Sequence, residues 1–446
     1  MNKLFGTDGI RARAGQFPLD YSTICRLGMA LISLLKEIEL QPRVLVGRDT
    51  RESGEWLEQA LLQGITENGG EAVSLGIVPT SAVSLLTKEN SFSAGIVISA
   101  SHNPYQDNGI KIFSSQGIKI PESWEGKLER TLTSEKKEIP KKETKITQAS
   151  FLSRDYLSFL QSKFPAGSLM RKIKIILDCS NGASSFFAPK LFSELGFEVI
   201  AINKTPDGQN INSECGSLYP ENLAKKVLET NADIGIAYDG DADRAIWVDE
   251  KGKILNGDHT LFVLSQFMKE KKLLKSDYVV ATTMSNIGLE EALKSLDIKL
   301  FRTEVGDRYV FEQMKKLNAN LGGEQSGHTI FLDDCPTGDG ILTSIKMIEV
   351  MITLEKPLSK LTSSLKEYPQ VLNNVRVEKK ENFHHYPEII NTIEEIKSQL
   401  ENSGRMNVRY SGTEPLARIM IEGKDQRQIE KHAQRLANVI DKYLGL

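Results

Sequence analysis

The sequence predicts an α/β protein of three related α/β domains with mostly parallel, mixed sheets, followed by a smaller C-terminal α+β domain. A strand, a polar loop, a helix and a second strand follow one another at 43–75, at 173–202 and at 278–302. This order is typical of parallel sheets with crossover helices. The chain of 446 residues has room for roughly three or four domains of about 100–150 residues each. The repeats share a pattern and not residue identities, so generic βαβ structure explains them equally well.

The first domain is predicted to span 1–145. A helix is expected from about Tyr21 to Lys36, and a second one at Glu55–Asn68 carries an apolar stripe on one face. Gly69 and Gly70 end that second helix. Residues 135–145 alternate lysine with glutamate and contain few apolar side chains, which indicates a solvated linker and the first domain boundary.

The most informative stretch of this domain begins at Ala94. A short apolar run, typical of a buried strand, ends at Ser101, and Pro104 forces the chain to turn. Asn108-Gly109 predicts a second turn before the next strand. A polar turn with a capping serine is one explanation. The other is a ligand-binding loop at the carboxyl end of a strand, where open α/β sheets bind their ligands. That loop would present Ser101, His102 and Lys111.

The second domain, predicted at 146–254, carries three aspartates at alternate positions. They lie between the apolar strands 234–238 and 245–248, and three carboxylates so close together repel one another unless a cation compensates. An EF-hand is excluded because Arg244 replaces the required glycine and the flanking elements are strands. Oxygen ligands that leave coordination positions open favour Mg²⁺ with a phosphorylated partner. The three aspartates are Asp239, Asp241 and Asp243.

The third domain, predicted at 255–366, contains the polar loop Gly322–His328 after a short strand-like stretch. Glu324 and Ser326 are two residues apart and are both placed to face the hydroxyls of a ligand. A flexible glycine-rich turn is the alternative explanation.

The fourth domain, predicted at 367–446, has strands at 371–377, 405–410 and 418–422 and an amphipathic helix at Gln426–Leu444. Between two of these strands the sequence places backbone donors, hydroxyls and arginines. This set suits a phosphate, although a plain Ser-Gly-Thr hairpin accounts for it equally well. The residues are Arg409, Ser411, Gly412, Thr413 and Arg418.

Composition limits the partners and the location. The net charge of −3, with 40% hydrophobic and 26% charged residues, gives no electrostatic reason to expect binding to nucleic acid or to a membrane surface. Four scattered cysteines suit a reducing compartment, and the first residues lack the apolar core of a signal peptide. We therefore expect a cytoplasmic protein without nucleic-acid or membrane partners.

The four loops described above together indicate a reaction class. They offer a phosphorylatable serine, three aspartates on a metal loop (Asp239–Arg244), a hydroxyl-binding loop and a phosphate loop, which is what phosphoryl transfer on a sugar phosphate requires.

At these loops the sequence resembles the α-D-phosphohexomutase superfamily, over essentially the whole chain. In this family four domains surround one central cleft, and we expect the same arrangement here. Two positions depart from the family pattern: Ala12 where a glycine is usual, and Ser81 where a second proline is common. The stretches that carry the resemblance are Phe5–Arg11, Ile98–Lys111, Asp239–Arg244, Val305–Tyr309, Gly322–His328, Thr337–Gly340 and Arg409–Pro415.

The resemblance implies a role for each candidate residue. Ser101 becomes the phosphorylated residue and, with Asp239, Asp241 and Asp243, a ligand of one Mg²⁺ per active site. His102 and Arg11 orient the phosphoserine. Lys111 and His328 are candidates for general acid and base, although Lys111 is also explained as a solvated lysine at a strand edge. The implied substrate-binding residues are Arg244, Glu324, Ser326, Arg409, Ser411, Gly412, Thr413 and Arg418.

The resemblance also implies the reaction, an intramolecular phosphotransfer that isomerises a hexosamine phosphate. Gln325 and the Ser-Gly-Thr-Glu-Pro loop are similar to the branch that converts glucosamine 6-phosphate to glucosamine 1-phosphate through glucosamine 1,6-bisphosphate, on the way to amino-sugar nucleotides. A glucose or mannose phosphate substrate with the same mechanism is the first alternative, and a non-catalytic sugar-phosphate sensor is the second. A homodimer, and priming of Ser101 by a kinase or by autophosphorylation, complete these expectations.

Overall fold

A computed structural model describes residues 3–134, 138–142, 147–149, 151–165, 172–400, 404–411 and 415–445 of the protein. Within these ranges the chain forms four sheets, of six, five, four and three strands in chain order. Parallel and antiparallel pairs occur together in each of the first three sheets, and the last sheet is antiparallel throughout. The predicted fold class, three α/β domains and a smaller α+β domain, is confirmed.

The first sheet has the strand order β1-β5-β4-β2-β3-β6. Its interior strand β4 is buried at every position, as its unbroken apolar sequence predicts. The elements of this part of the chain are β1 (Ile10–Arg13), α1 (Tyr21–Glu37), β2 (Arg43–Arg48), α2 (Glu52–Glu67), β3 (Glu71–Ile77), α3 (Thr80–Glu89), β4 (Ala94–Ile98), β5 (Asp107–Ser114), α4 (Glu122–Ser134) and β6 (Thr147–Gln148).

Two glycines let helices α1 and α2 pack with their backbones in close approach. A Cβ atom on Gly64 would lie 1.9 Å from the carbonyl oxygen of Cys25, and one on Gly28 would lie 2.5 Å from that of Leu61. Neither distance is compatible with van der Waals contact, so only glycine fits while the helices stay in place.

Gly64→Ala is therefore expected to destabilise the protein by about 2–3 kcal/mol, because added volume in a packed interface forces the helices apart. Gly126→Ala in helix α4 is the matched control, since a Cβ atom there meets nothing within 4 Å and alanine favours a helix by up to about 1 kcal/mol. Thermal unfolding followed by circular dichroism measures both variants. Equal melting temperatures for the two would contradict the close-approach explanation.

The second sheet, β11-β10-β9-β7-β8, and the third, β13-β12-β14-β15, share one large apolar core, which also includes residues of the first sheet and of helix α3. Their elements are α5 (Leu152–Ser162), β7 (Lys174–Asp178), α6 (Ala188–Glu194), β8 (Glu198–Ile202), α7 (Glu221–Thr230), β9 (Ile234–Tyr238), β10 (Ala245–Asp249), β11 (Ile254–Leu255), α8 (Gly257–Glu270), β12 (Tyr278–Thr282), α9 (Ile287–Lys294), β13 (Lys299–Thr303), α10 (Asp307–Leu317), β14 (Leu321–Gly323), β15 (Thr329–Phe331), α11 (Gly340–Thr353) and α12 (Leu358–Leu361).

The last sheet, β16-β18-β17, has its own core with helices α13 and α14. Its elements are β16 (Gln370–Arg376), α13 (Pro387–Leu400), β17 (Gly404–Tyr410), β18 (Leu416–Gly423) and α14 (Gln426–Leu444). None of the helices in the described ranges is long and apolar enough to cross a membrane.

Two local predictions were wrong. Asn108-Gly109 lies inside strand β5, paired with Ala12 and Arg11 of β1, and does not form a turn. Gly109 is needed there because a Cβ atom would lie 2.5 Å from the carbonyl oxygen of Ser99. Likewise Gly322 and Gly323 form strand β14 and not a loop. In both places glycine serves close backbone packing, which the sequence pattern of a turn does not distinguish.

Most of the predicted linker at 135–145 lies outside the described residues. Beyond it, the short strand β6 pairs with β3 and so adds to the first sheet. The four domain limits remain predictions.

Candidate active site

The loops after strands β4 and β9 meet between the first two domains. The Ser101 hydroxyl donates to Asp239 Oδ2 at 2.6 Å, and both side chains are buried. The backbone of Ser101 has φ of +52°, a region that residues with a side chain rarely occupy and that surrounding contacts must enforce. The serine is therefore fixed in place and does not cap a flexible turn.

Arg51 enforces this loop conformation. Its guanidinium donates to the carbonyl oxygens of Ser101 at 2.9 Å and Asn103 at 2.9 Å, and to two further carbonyls of the loop, those of Pro104 and Asp107. Asp49 accepts from Arg51 Nε at 2.9 Å, so the guanidinium is held on both sides. One planar cation thus connects four backbone oxygens of the serine loop to the segment that directly follows strand β2.

Arg51→Lys is expected to lower kcat by about tenfold to a hundredfold, because one ammonium cannot replace several hydrogen bonds to carbonyls. The KM for the sugar phosphate should change little, since Arg51 contacts the serine loop. Steady-state kinetics separates the two constants. Arg43→Lys is the control, because Arg43 is half-exposed and pairs with Glu71 at the other end of the strand. Full activity in Arg51→Lys would show that the loop holds its shape unaided.

The three aspartates converge as predicted from their spacing. Carboxylate oxygens of Asp239, Asp241 and Asp243 lie within 4.8 Å of one another, and all three side chains are buried. Asp241 Oδ1 and Asp243 Oδ1 have no hydrogen-bond partner among the described residues, whereas Asp241 Oδ2 accepts from Thr80 at 2.6 Å. Unpartnered buried carboxylate oxygens at this spacing fit a hard divalent cation such as Mg²⁺.

Repulsion within the cluster perturbs its titration. Burial, with repulsion from Asp243 and Asp241, raises the pKa of Asp239 well above its usual value. Burial opposes the charge of Asp243 as well, but Lys111, His328 and Arg244 together outweigh burial and lower the pKa of that carboxyl. A bound divalent cation would stabilise all three carboxylates in their charged form.

Lys111 lies inside this cluster. Its Nζ atom is 2.9 Å from Asp241, 3.0 Å from Asp243 and 3.2 Å from Asp8, and its side chain is only 2% exposed. Burial disfavours the ammonium, but the three carboxylates outweigh burial and raise the pKa of Lys111 well above its usual value. The alternative of a solvated lysine at a strand edge is therefore wrong.

His102 and Arg11 surround the serine. His102 Nδ1 is 3.1 Å from Ser101 Oγ, and burial, with repulsion from Arg244 and Arg11, lowers the pKa of His102 to about 3. Arg11 donates to Asp8 and, at 3.4 Å, to Asn103 Oδ1. Arg244 lies 3.8–3.9 Å from Asp243 and Asp239. A neutral histidine therefore contacts the serine hydroxyl, and two arginines contact residues next to it, Arg11 at Asn103 and Arg244 near Asp239.

The polar loop of the third domain packs directly against the metal loop. Arg244 and His328 form an antiparallel bridge, so the two loops share one edge. Glu324 accepts from the Ser326 hydroxyl at 3.2 Å and from the backbone N–H of Gly306 at 3.0 Å. These contacts orient both predicted hydroxyl-binding side chains toward the cleft.

His328 is buried beside Gly338, where a Cβ atom would lie 2.4 Å from the imidazole. Neither ring nitrogen has a hydrogen-bond partner among the described residues, and Nε2 lies 3.8 Å from Asp307. The imidazole is thus held by packing, and neither nitrogen is hydrogen-bonded to a described residue. The Thr337–Gly340 stretch supplies the space, and its Gly340 donates to the Ala242 carbonyl of the metal loop at 2.9 Å.

The phosphate loop of the last domain is described in part. Arg409 and Arg418 are cross-strand partners on β17 and β18, and burial, with repulsion from Arg418, lowers the pKa of Arg409. Ser411 is buried, and its carbonyl accepts from Lys380 at 2.7 Å. Gly412 and Thr413, which were assigned to the same cradle, lie outside the described residues. Paired arginines at opposed positions favour an anion between them.

A cleft of about 890 Å³ lies between the loops of the first three domains and the start of the last one. Its walls come from the serine loop, the metal loop, the polar loop and the start of the last domain. The residues that line it include His102, Arg244, Glu324, Gln325, Ser326, Asn286, Glu367 and Gln370. A hexose phosphate fits a cavity of this size and polarity.

Sequence reasoning missed Arg51, Asp8 and Thr80. Each acts through a contact to a residue at least 50 positions away along the chain. The one available signal was position, since Arg51 and Thr80 both follow strands of the parallel part of the sheet.

Comparison with known proteins agrees with the fold and the site. Family models described as phosphoglucomutase/phosphomannomutase α/β/α domains I, II and III and C-terminal domain match residues 2–139, 154–252, 256–368 and 372–439. A phosphoglucosamine mutase of Myxococcus xanthus is 45% identical, covering 100% of this chain and 98% of that protein. Another from Caldanaerobacter subterraneus is 46% identical, covering 100% of both chains.

Solved structures share the fold. A phosphoglucomutase/phosphomannomutase family protein from Burkholderia thailandensis has a TM-score of 0.81 at 21% identity, over 99% of this chain and 98% of that chain. An N-acetylphosphoglucosamine mutase from Aspergillus fumigatus, solved with GlcNAc-6P and magnesium, has a TM-score of 0.72 at 16% identity, over 98% and 95% of the two chains.

The four-domain fold and the buried serine–carboxylate cluster define a phosphohexomutase, an enzyme that isomerises sugar phosphates. The chain belongs to the phosphoglucomutase/phosphomannomutase family. Within that family, the relatives named above that match it from end to end are phosphoglucosamine mutases.

Proposed function

We propose that this protein is a phosphoglucosamine mutase, which interconverts glucosamine 6-phosphate and glucosamine 1-phosphate. The observation that carries the proposal is the buried Ser101 hydroxyl, 2.6 Å from Asp239, at a cleft that the polar loop with Gln325 also lines. The full-length relatives with this name support the choice of substrate.

In the proposed reaction the phosphorylated Ser101 donates its phosphoryl group to O1 of glucosamine 6-phosphate. The bond between phosphorus and the serine oxygen breaks, a bond to O1 forms, and the proton of the O1 hydroxyl passes to a base. The resulting 1,6-bisphosphate turns in the cleft, and Ser101 recovers the phosphoryl group from O6. Both sugar orientations use the same groups, since Glu324 and Ser326 bind hydroxyls while Arg409, Ser411, Gly412, Thr413 and Arg418 hold the distal phosphate.

The acidic cluster fits one Mg²⁺, with Asp239, Asp241, Asp243 and a phosphoserine oxygen as ligands. When bound, the ion would neutralise charge on the transferring phosphoryl group. His102, Arg11 and Arg244 surround the phosphoserine and orient it. His328, with unpartnered ring nitrogens, is a candidate proton acceptor, and Lys111, held as an ammonium by three carboxylates, is a candidate proton donor.

Turnover of glucosamine 6-phosphate, glucose 6-phosphate and mannose 6-phosphate, measured side by side by phosphorus NMR with Mg²⁺ and a trace of bisphosphate, tests the substrate. We expect the highest kcat/KM for the amino sugar. A preference for glucose or mannose phosphate would support a phosphoglucomutase or phosphomannomutase with the same site. Binding without interconversion would support a sensor.

We also propose the domain limits 1–145, 146–254, 255–366 and 367–446, a cytoplasmic location and a homodimer. Priming of Ser101 by a kinase or by autophosphorylation starts the cycle. Light scattering of the purified enzyme tests the dimer, and the appearance of phosphoserine on incubation with a sugar bisphosphate alone tests priming without a kinase.

A further inference from the structure

Beside the polar loop lies a buried carboxylate that the reaction does not use. Asp258, in the first turn of α8, is 1% exposed. Its Oδ2 atom accepts from the backbone N–H of Asn286 at 2.8 Å and from Gln325 Nε2 at 3.2 Å. Buried carboxylates are ordinarily paired with a cation, yet no ion pair among the described residues includes Asp258.

The nearest candidate cation is engaged elsewhere. The negative charge of Asp258 favours the charged form of Arg405. The Arg405 guanidinium, however, binds Glu422 and the carbonyl oxygens of Thr283 and Ser285. The negative charge of Asp258 is therefore not balanced by a direct cation contact. Burial raises its pKa to about 6, a value that is still below neutral pH.

Gln325 connects this charge to the cleft. Its side chain lines the cleft, and its backbone carbonyl accepts from Gly257 at 2.9 Å, which fixes the loop against α8. One N–H of Nε2 donates to Asp258, which sets the orientation of the amide, and the amide oxygen is the acceptor that this side chain offers. No described residue outside the cleft donates a hydrogen bond to this amide oxygen.

The chemistry of such a pair favours a cation with N–H donors. An ammonium group has three N–H donors and no lone pair, and it carries the positive charge that Asp258 lacks. A neutral hydroxyl at the same carbon donates one hydrogen bond and gains nothing from a nearby charge. In a low-dielectric site that difference is large.

We propose that Asp258, acting through Gln325, makes the cleft selective for hexose phosphates with a cationic amino group at C2. Gln325 accepts a hydrogen bond from the ammonium, and Asp258 orients the amide and supplies the countercharge. The inference rests on the proposed function, because it explains how the amino sugar is distinguished from glucose phosphate.

Asp258→Asn tests this in the full-length enzyme with Mg²⁺ and bisphosphate primer. We expect kcat/KM for glucosamine 6-phosphate to fall about tenfold to a hundredfold, the range for losing a charge-assisted hydrogen bond, while that for glucose 6-phosphate changes less than about threefold. Asp178→Asn is the matched control, since Asp178 is also buried and also accepts two hydrogen bonds, in its case both from backbone N–H groups at 2.9 Å. In Asp178→Asn, the ratio of kcat/KM for glucosamine 6-phosphate to kcat/KM for glucose 6-phosphate should equal that of the wild type.

If kcat/KM falls equally for both substrates in Asp258→Asn, the proposal is overturned and Asp258 has a structural role. If Asp258→Asn does not fold, Gln325→Met keeps the test open, because it removes the amide but leaves a side chain of similar length. Retention of the wild-type ratio in that variant would also overturn the proposal. A wild-type enzyme without preference for the amino sugar would contradict the proposed function itself, and with it this inference.

Discussion

Ser101→Ala is expected to abolish turnover, with kcat lower by at least about a thousandfold, the scale for removing a covalent nucleophile. The serine hydroxyl lies 2.6 Å from Asp239 and 3.1 Å from His102, and alanine leaves no oxygen at this position to accept a phosphoryl group. Phosphorus NMR of the isomerisation measures the loss. The fold should persist, because Arg51 and Asn212 hold the loop through backbone oxygens.

The control for that variant is Ser265→Ala. Ser265 is equally buried, and the one partner of its hydroxyl among the described residues is the carbonyl of Phe262 in its own helix, at 3.0 Å. Its activity should be that of the wild type. Substantial turnover by Ser101→Ala would rule out a phosphoserine intermediate and would favour direct transfer between two bound sugars.

The second large effect is expected for Asp241→Asn, whose activity at low Mg²⁺ should fall at least about a hundredfold. Asp241 Oδ1 has no hydrogen-bond partner among the described residues, whereas Oδ2 binds Thr80 and Lys111. Replacing the carboxylate with an amide removes one metal ligand and leaves Lys111 with less countercharge. A titration of activity against Mg²⁺ should show a raised activation constant.

Asp249→Asn is the matched control for that titration. Asp249 is buried at the end of β10 and accepts from the backbone of Lys251 and Lys253 at 2.9 Å, away from the cluster. Its Mg²⁺ dependence should be unchanged. If Asp241→Asn also kept the wild-type dependence, the acidic loop would not be the metal site.

Regular amphipathic patterns made part of this structure predictable. The helix Gln426–Leu444 has the predicted limits, because its sequence has a clear apolar period and a distinct end. The alternate spacing of the three aspartates also made their convergence predictable, because a tight loop between two paired strands brings every second side chain to one side.

The remaining features depend on contacts between distant segments. Arg51 is one polar residue in a loop, and only the folded chain shows it bonded to four carbonyls some fifty positions away. Lys111 was equally consistent with solvent and with burial, because its sequence neighbours do not reveal that Asp8 and the metal loop surround it. Asn108-Gly109 has the sequence of a turn, and pairing with β1 overrides that preference.

The most direct test of the account is to follow the phosphoryl group on Ser101 itself. Enzyme first phosphorylated with a sugar bisphosphate and freed of ligand is mixed with an equal amount of glucosamine 6-phosphate, and intact-protein mass spectrometry with peptide mapping measures what stays on the serine. We expect one phosphoryl group on Ser101 before mixing, and its partial transfer to the sugar with appearance of the 1,6-bisphosphate. Two results would contradict the phosphoserine mechanism. One is a catalytically active enzyme that never carries phosphate on Ser101, and the other is a phosphoserine that substrate leaves unchanged.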